Sequence, residues 1–186
     1  MERRKIHKGF SMQKLLILAY PASGKTYVAE NYENVVDFEH QDFMWIYDAE
    51  RAGLPLDQRR SNMQLRQPNP EWPRNYFAAM ELEFAAERVL ISPFIEAVFN
   101  VVHEAKLQDT RVVLVIPEIE NFDELEARYH ARNTGDEFIE RRRADLPICR
   151  KLFDSADGYE KIILARGQFL DSALINHGIK LKKKSQ

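Results

Sequence analysis

Five short apolar runs punctuate the chain, at residues 14–20 (KLLILAY), 35–38 (VVDF), 88–92 (RVLIS), 111–116 (RVVLVI) and 160–165 (EKIILA). RVLIS, RVVLVI and KIILA are nearly continuous aliphatic runs rather than alternating ones, the pattern of strands covered on both faces. Longer mixed stretches separate them and predict helices over 24–32, 72–87, 93–107, 122–132 and 136–154. Within 76–84, Tyr76, Phe77, Met80 and Phe84 recur at helical spacing. Asn69-Pro70 and Pro93 suit turns and helix starts. The run GQFLDSALINHG reads as a short closing helix stopped by Gly178. This strand–helix alternation predicts an α/β fold, a parallel sheet with helices on both faces. Right-handed crossovers in such a sheet put ligands at the carboxyl ends of the strands.

Composition narrows the class. The chain has 186 residues, 45% hydrophobic and 30% charged, which suits a single globular domain. A formal net charge of −2 argues against a generally basic nucleic-acid coat, though not against a local basic site. Cys149 is the single cysteine, so an internal disulfide and a cysteine-built zinc site are excluded; it reads as packed rather than reactive, and a reducing, cytoplasmic setting is expected. No apolar run reaches the roughly 18 residues of a membrane span. Residues 1–12 read as a basic, flexible arm, with Met12 as a second candidate start, and residues 180–186 (KLKKKSQ lies at 180–186) as a solvated, frayed tail. The five histidines are scattered and form no zinc pattern; His40 alone lies near candidate chemistry.

That chemistry begins where the first apolar run ends. AYPASGKT, Ala19 to Thr26, follows a strand and opens a helix, and it fits the phosphate-binding P-loop with Ala19 in place of the first glycine. A strand-to-helix loop can turn successive backbone N–H groups inward as a nest for phosphate oxygens, helped by the helix N-terminus. Ala22, Ser23, Gly24, Lys25 and Thr26 are the expected nucleotide-binding residues: Gly24 lets the backbone approach closely, Lys25 reaches the β- and γ-phosphates, and the Thr26 hydroxyl holds Mg²⁺. The plain alternative is a structural corner with a surface lysine. Ala19 is the point to check, because an alanine needing positive φ would be strained.

The second run ends VVDFEHQDF. Asp37 and Glu39 alternate on an extended chain and share a face, where they can orient Mg²⁺ and a substrate proton. Asp42 is a weaker candidate. No aliphatic run ends in Asp: RVLIS stops at Ser92, and Glu118 comes only after Pro117. The ordinary Walker B carboxylate is therefore missing from its usual place: either Asp37 does that work at the metal, or the metal site is unusual. Later, Arg128 and Arg132 are four apart on one helical face, and Arg141, Arg142 and Arg143 follow. Arginines suit the charge spread over a transferring phosphoryl group. Glu124, Glu126, Glu137 and Glu140 make an ordinary salt-laced surface the competing expectation. Residues 45–74 hold Arg51, Arg59, Arg60, Arg66 and Arg74 beside Trp45, Tyr47 and Trp72, a mixture suited to a nucleotide acceptor; Arg66 and Arg74 are the substrate-binding candidates.

With one small domain and the loop at its start, the chain resembles P-loop nucleoside monophosphate kinases and shikimate kinases. The Asp37-x-Glu39 pair looks like the Asp-x-Asp of the shikimate type. ELEARYHARNTGDEFIE followed by KIILARGQFLDSAL is similar to the late region of small phage-encoded nucleotide-kinase-like proteins, and the likeness spans most of 14–174. The resemblance implies a five-stranded parallel sheet, an acceptor-binding insert at 41–75 and a mobile helical lid at 121–154 bearing Arg128 and Arg132. It also implies transfer of the γ-phosphoryl of ATP, with Mg²⁺, to a small acceptor, first of all a nucleoside or deoxynucleoside monophosphate. Lys25, Asp37, Glu39, Arg128 and Arg132 would then be catalytic, Glu39 orienting the acceptor; for a hydroxyl on a metabolite or a modified DNA base, Asp37 or Glu39 would take its proton. A regulatory protein that binds nucleotide with little turnover is the alternative from another class, and a polynucleotide kinase is a third, disfavoured by the net charge.

Overall fold

A computed structural model describes residues 13–48, 53–54 and 66–185. In chain order its strands are β1 (Lys14–Ala19), β2 (Val35–Asp37), β3 (Trp45–Tyr47), β4 (Arg66–Pro68), β5 (Val89–Pro93), β6 (Thr110–Pro117) and β7 (Glu160–Leu164). The helices among the described residues are α1 (Lys25–Asn31), α2 (Gln41–Met44), α3 (Arg74–Ala85), α4 (Glu96–Ala105), α5 (Phe122–His130), α6 (Asp136–Ser155) and α7 (Leu170–Asn176), with a 3-10 turn at Ile119–Asn121. The five apolar runs form one sheet in the order β2-β5-β1-β6-β7, every neighbouring pair parallel. The α/β fold with a five-stranded parallel sheet is thus as expected.

Side-chain alternation along β1 divides the core in two. Leu16 and Leu18 face one side, where Leu90 and Leu114 join Met80, Val98, Leu125 and Leu146 from α3, α4, α5 and α6. Ile17 and Ala19 face the other, against Val113, Val115, Val28 of α1 and Leu174 of α7. Because both faces are covered, every position in the central strands gains from being aliphatic, at about 1.5–3 kcal/mol for each large side chain buried. Cys149 is buried against the Phe94 carbonyl, and burial pushes its thiol up to about 12, in keeping with a packed residue.

Three expectations change. Residues 121–154 are amphipathic helices packed on the core rather than a free-standing lid: Phe122, Leu125, Tyr129, Ile139, Leu146 and Phe153 are all buried, while the turn at 131–133 and the outer helix faces are exposed. The basic tail is docked, not frayed. Lys183 bridges Tyr32 in antiparallel fashion, Glu33 N–H donates to Lys182 O (2.7 Å), and Lys184 N–H donates to Asn31 O (2.9 Å). The Lys184 ammonium meets Ala29 O at the carboxyl end of α1, where a helix favours positive charge. The antiparallel pair β3–β4, in register Trp45↔Pro68 and Tyr47↔Arg66, was not expected: three residues ending in a proline give no strand signal. The expected arm at 1–12 lies outside the described residues, as do Arg51, Arg59 and Arg60.

Candidate functional site

The loop after β1 sits at the carboxyl edge of the sheet, tied at its base to both neighbouring strands. Phe94 N–H donates to Ala19 O (2.9 Å), and Tyr20 N–H donates to Val115 O (2.9 Å). Ala19 is the last residue of β1, extended and fully buried, so alanine is unstrained there. The left-handed conformations fall instead at Ala22 (φ 64°) and Gly24 (φ 106°). At Gly24 a Cβ would meet Phe169 Cδ1 at 3.4 Å, an ordinary contact, so it is the left-handed backbone that calls for glycine. Ser23 is buried, and its carbonyl accepts the Leu170 N–H (2.9 Å), which joins the loop to α7.

Arg128 completes this support. Its guanidinium donates to Ala22 O (3.1 Å) and Gln168 O (3.2 Å), pairs with Glu124, and lies 4.0 Å from the centroid of Phe169. Glu124 in turn accepts the Gly167 N–H (2.8 Å). Burial works against the Glu124 charge, but the Gly167 N–H and the Arg128 guanidinium outweigh it and hold the carboxyl below its ordinary value. The arginine expected on a moving lid is therefore an internal strut between α5, the loop and the turn before α7.

Across the loop, Thr26 Oγ1 donates to Asp37 Oδ2 at 2.7 Å. β2 brings Asp37 there through its pairing with β5, in register with Ile91. Lys25, nine-tenths buried, has its ammonium 3.9 Å from Glu39 Oε1, and His40 Nδ1 lies 3.7 Å from the other Glu39 oxygen. The hydroxyl and carboxylate oxygens of Thr26 and Asp37 are hard donors of the kind Mg²⁺ takes, and that ion commonly draws its other ligands from phosphate and water. Among the described residues no group of three or more His, Cys, Asp or Glu could hold a metal by itself. Ser92, next to the end of β5, is fully buried and hydrogen-bonded to the Tyr76 hydroxyl (2.5 Å).

A cleft of about 330 Å³ opens beside Lys25 and Glu39. His40, Met44 and Trp45 form one wall; Arg66, Arg141 and Arg142 also line it. Arg66 stacks on Trp45 at 4.2 Å from the ring centroid. Burial, and less so the nearby Arg141 charge, pull the Arg66 guanidinium below its ordinary value, while Tyr47 works the other way. Arg142 pairs with Asp145 (2.7 Å), and its backbone carbonyl accepts the Tyr20 hydroxyl (2.6 Å), so the loop and α6 are directly joined. Arg143 points elsewhere, to Glu126 (2.9 Å) and the Phe122 ring, since successive helical residues are turned by about 100°.

The structure gathers Ala22, Ser23, Gly24, Lys25, Thr26, Asp37 and Glu39 in one place, with Arg66 on the cleft wall. It does not gather the rest. Arg74 is 78% exposed at the start of α3 and pairs with Glu71. Arg132 is exposed in the turn after α5, one turn of chain beyond Arg128, because α5 ends at His130 and the shared helical face ends with it. Neither is among the residues lining the cleft. Arg141 and Arg142 belong to the site more directly than Arg132, and Phe138 joins them. Phe138 precedes Arg141 and Arg142 by three and four residues, and that helical spacing within FIERRR was the available signal.

The chain matches no protein-family model and no curated protein sequence. Among the described residues no helix is long and apolar enough to cross a membrane.

Proposed function

We propose that this chain is a P-loop kinase that moves the γ-phosphoryl group of ATP, bound with Mg²⁺, to a small acceptor in the cleft. One observation carries the reading: the Thr26–Asp37 hydrogen bond beside buried Lys25, at the carboxyl edge of a parallel sheet. It supplies the metal-side carboxylate that neither β5 nor β6 ends in. Ala22 to Thr26 would cradle the phosphates, Lys25 would offset charge on the β- and γ-phosphates, and Thr26 with Asp37 would hold the ion. The bound ion would neutralise charge on the triphosphate. Arg128 would hold the loop in shape rather than enter from a lid. Glu39 would orient the acceptor, and Arg66, Arg141 and Arg142 would bind its anionic part. Nucleoside and deoxynucleoside monophosphates are the first acceptors to try.

The assay is release of ADP from labelled ATP with each of a panel of nucleoside monophosphates. Acceptor-dependent ADP that disappears in Lys25→Ala supports the kinase; unimpaired transfer in that variant refutes the role of Lys25. A nucleotide-binding regulator is the second reading, favoured by Ser92 being tied to Tyr76 where a Walker B acid would stand. Tight ATP binding without turnover under any acceptor would select it.

A further inference from the structure

The Glu39 carboxylate stands between two nitrogens. Its Oε1 lies 3.9 Å from the Lys25 ammonium, and its Oε2 lies 3.7 Å from His40 Nδ1. Neither separation is a hydrogen bond, which for N–H···O spans about 2.7–3.2 Å. His40 is 7% exposed, and its Nδ1 is buried with no hydrogen-bond partner among the described residues. A polar atom buried in that state costs stability until a partner reaches it. The imidazole is poorly placed to move. The His40 carbonyl accepts the Phe43 and Met44 N–H groups (3.0 Å each), and Trp72 meets the ring edge-on with centroids 6.5 Å apart. The longer Glu39 side chain is the one able to close the gap, and Lys25, Glu39 and His40 all line the cleft.

Nucleotide binding changes what holds Glu39. The β- and γ-phosphates compete for the Lys25 ammonium, and their own charge repels the carboxylate beside it. Unit charges about 4 Å apart in a partly buried site interact strongly enough to turn a side chain. On the opposite side waits the buried Nδ1. In the neutral tautomer protonated there, it is a donor and the carboxylate is its acceptor.

We propose that MgATP hands the Glu39 carboxylate from Lys25 to His40. This rests on the kinase reading and deepens it. The Lys25 ammonium turns to the phosphates, and His40 Nδ1–H donates to Glu39 Oε2; no proton changes owner. His40 is then a positioning residue: it takes up the carboxylate that the triphosphate displaces and holds it at the cleft wall, where Glu39 orients the acceptor. Without that donor, Glu39 either stays on Lys25 or faces the phosphates, and both weaken nucleotide binding.

The test measures MgATP affinity of the full chain by calorimetry. His40→Leu should weaken binding by roughly 10-fold or more, the worth of a hydrogen bond to a charged group. His40→Asn, whose amide N–H can take the place of Nδ1–H, should recover most of that loss. With Glu39→Gln already present there is no charge to rehouse, so adding His40→Leu should change affinity by less than about threefold. Wild-type affinity in His40→Leu overturns the proposal, and so does an equal loss in the Glu39→Gln background, which would mark His40 as packing alone. A second measurement needs no variant at the site to fold by itself. In wild-type protein carrying isotope-labelled histidine, MgATP should bring out an exchange-protected, downfield proton on a ring nitrogen in the NMR spectrum, and the signal should be missing from His40→Asn. Its absence overturns the proposal and leaves the kinase reading standing. No MgATP binding by the wild type overturns both.

Discussion

Arg128→Met separates a strut from a transition-state group. The wild-type side chain is 14% exposed and makes two hydrogen bonds to backbone carbonyls, an ion pair with Glu124 and a stack on Phe169. Hydrogen bonds with one charged partner contribute about 1.5–3 kcal/mol each, the partly buried pair and the stack about 1 kcal/mol each, and ordering an arginine costs up to about 2 kcal/mol. These contributions are not additive, and methionine restores some packing, so the net loss should be about 2–3 kcal/mol. For a chain of this length that lowers Tm by roughly 5–10 °C. Glu124→Gln alone and the double variant complete a cycle whose coupling should be about 1–2 kcal/mol, because each single change strands the other partner. Thermal and urea unfolding without nucleotide measure all four proteins. ATP affinity should fall with stability, since Ala22 O and the Gly167–Leu170 turn lose their common anchor. If Arg128→Met melts within about 1 °C of wild type yet loses turnover, the strut account is wrong and the arginine acts on the reacting phosphate.

Acid denaturation should carry the signature of the same contact. Glu124 is held below its ordinary value of 4.5, so its contribution is fully present above that pH and fades as pH falls through the lower folded value. The stability gap between wild type and Glu124→Gln should therefore narrow below about pH 4.5, and a constant gap would refute the assignment. Asp37→Asn should weaken the Mg²⁺-dependent part of ATP binding by roughly 10–100-fold, as loss of a group that orients or ligates a metal does, while binding in EDTA stays within a few-fold in calorimetry. Removing residues 180–186 should cost about 2 kcal/mol, from the two backbone bonds at Asn31 and Glu33 and the lost Lys184 cap, seen as a lower urea midpoint; an unchanged midpoint would mean the tail is not docked in solution.

What the chain's own pattern determined follows from local rules. Leu16, Ile17 and Leu18 are buried on alternate faces of β1, so an unbroken aliphatic run already specified a strand covered twice. The order of residues from Ala19 to Thr26 marked the loop, because strand, turn and helix are contiguous there. Even Asp37 was legible, through its alternation with Glu39 in VVDFEHQDF. The arginines were not. Arg128 and Arg132 share a helical face in sequence, yet Arg128 is enclosed between Glu124, Ala22 and Phe169, while Arg132 falls past the end of α5 into solvent. Arg141, Arg142 and Arg143 are neighbours in the chain, but only the first two reach the cleft. Their roles depend on what lies across a gap: Trp45 for Arg66, Asp145 for Arg142, Glu126 for Arg143. The tail shows the same division, for nothing in KLKKKSQ announces that Asn31 and Glu33 wait for it. A backbone's periodicity is written in adjacent residues, whereas the direction and partner of a long charged side chain are set by distant residues that folding brings beside it.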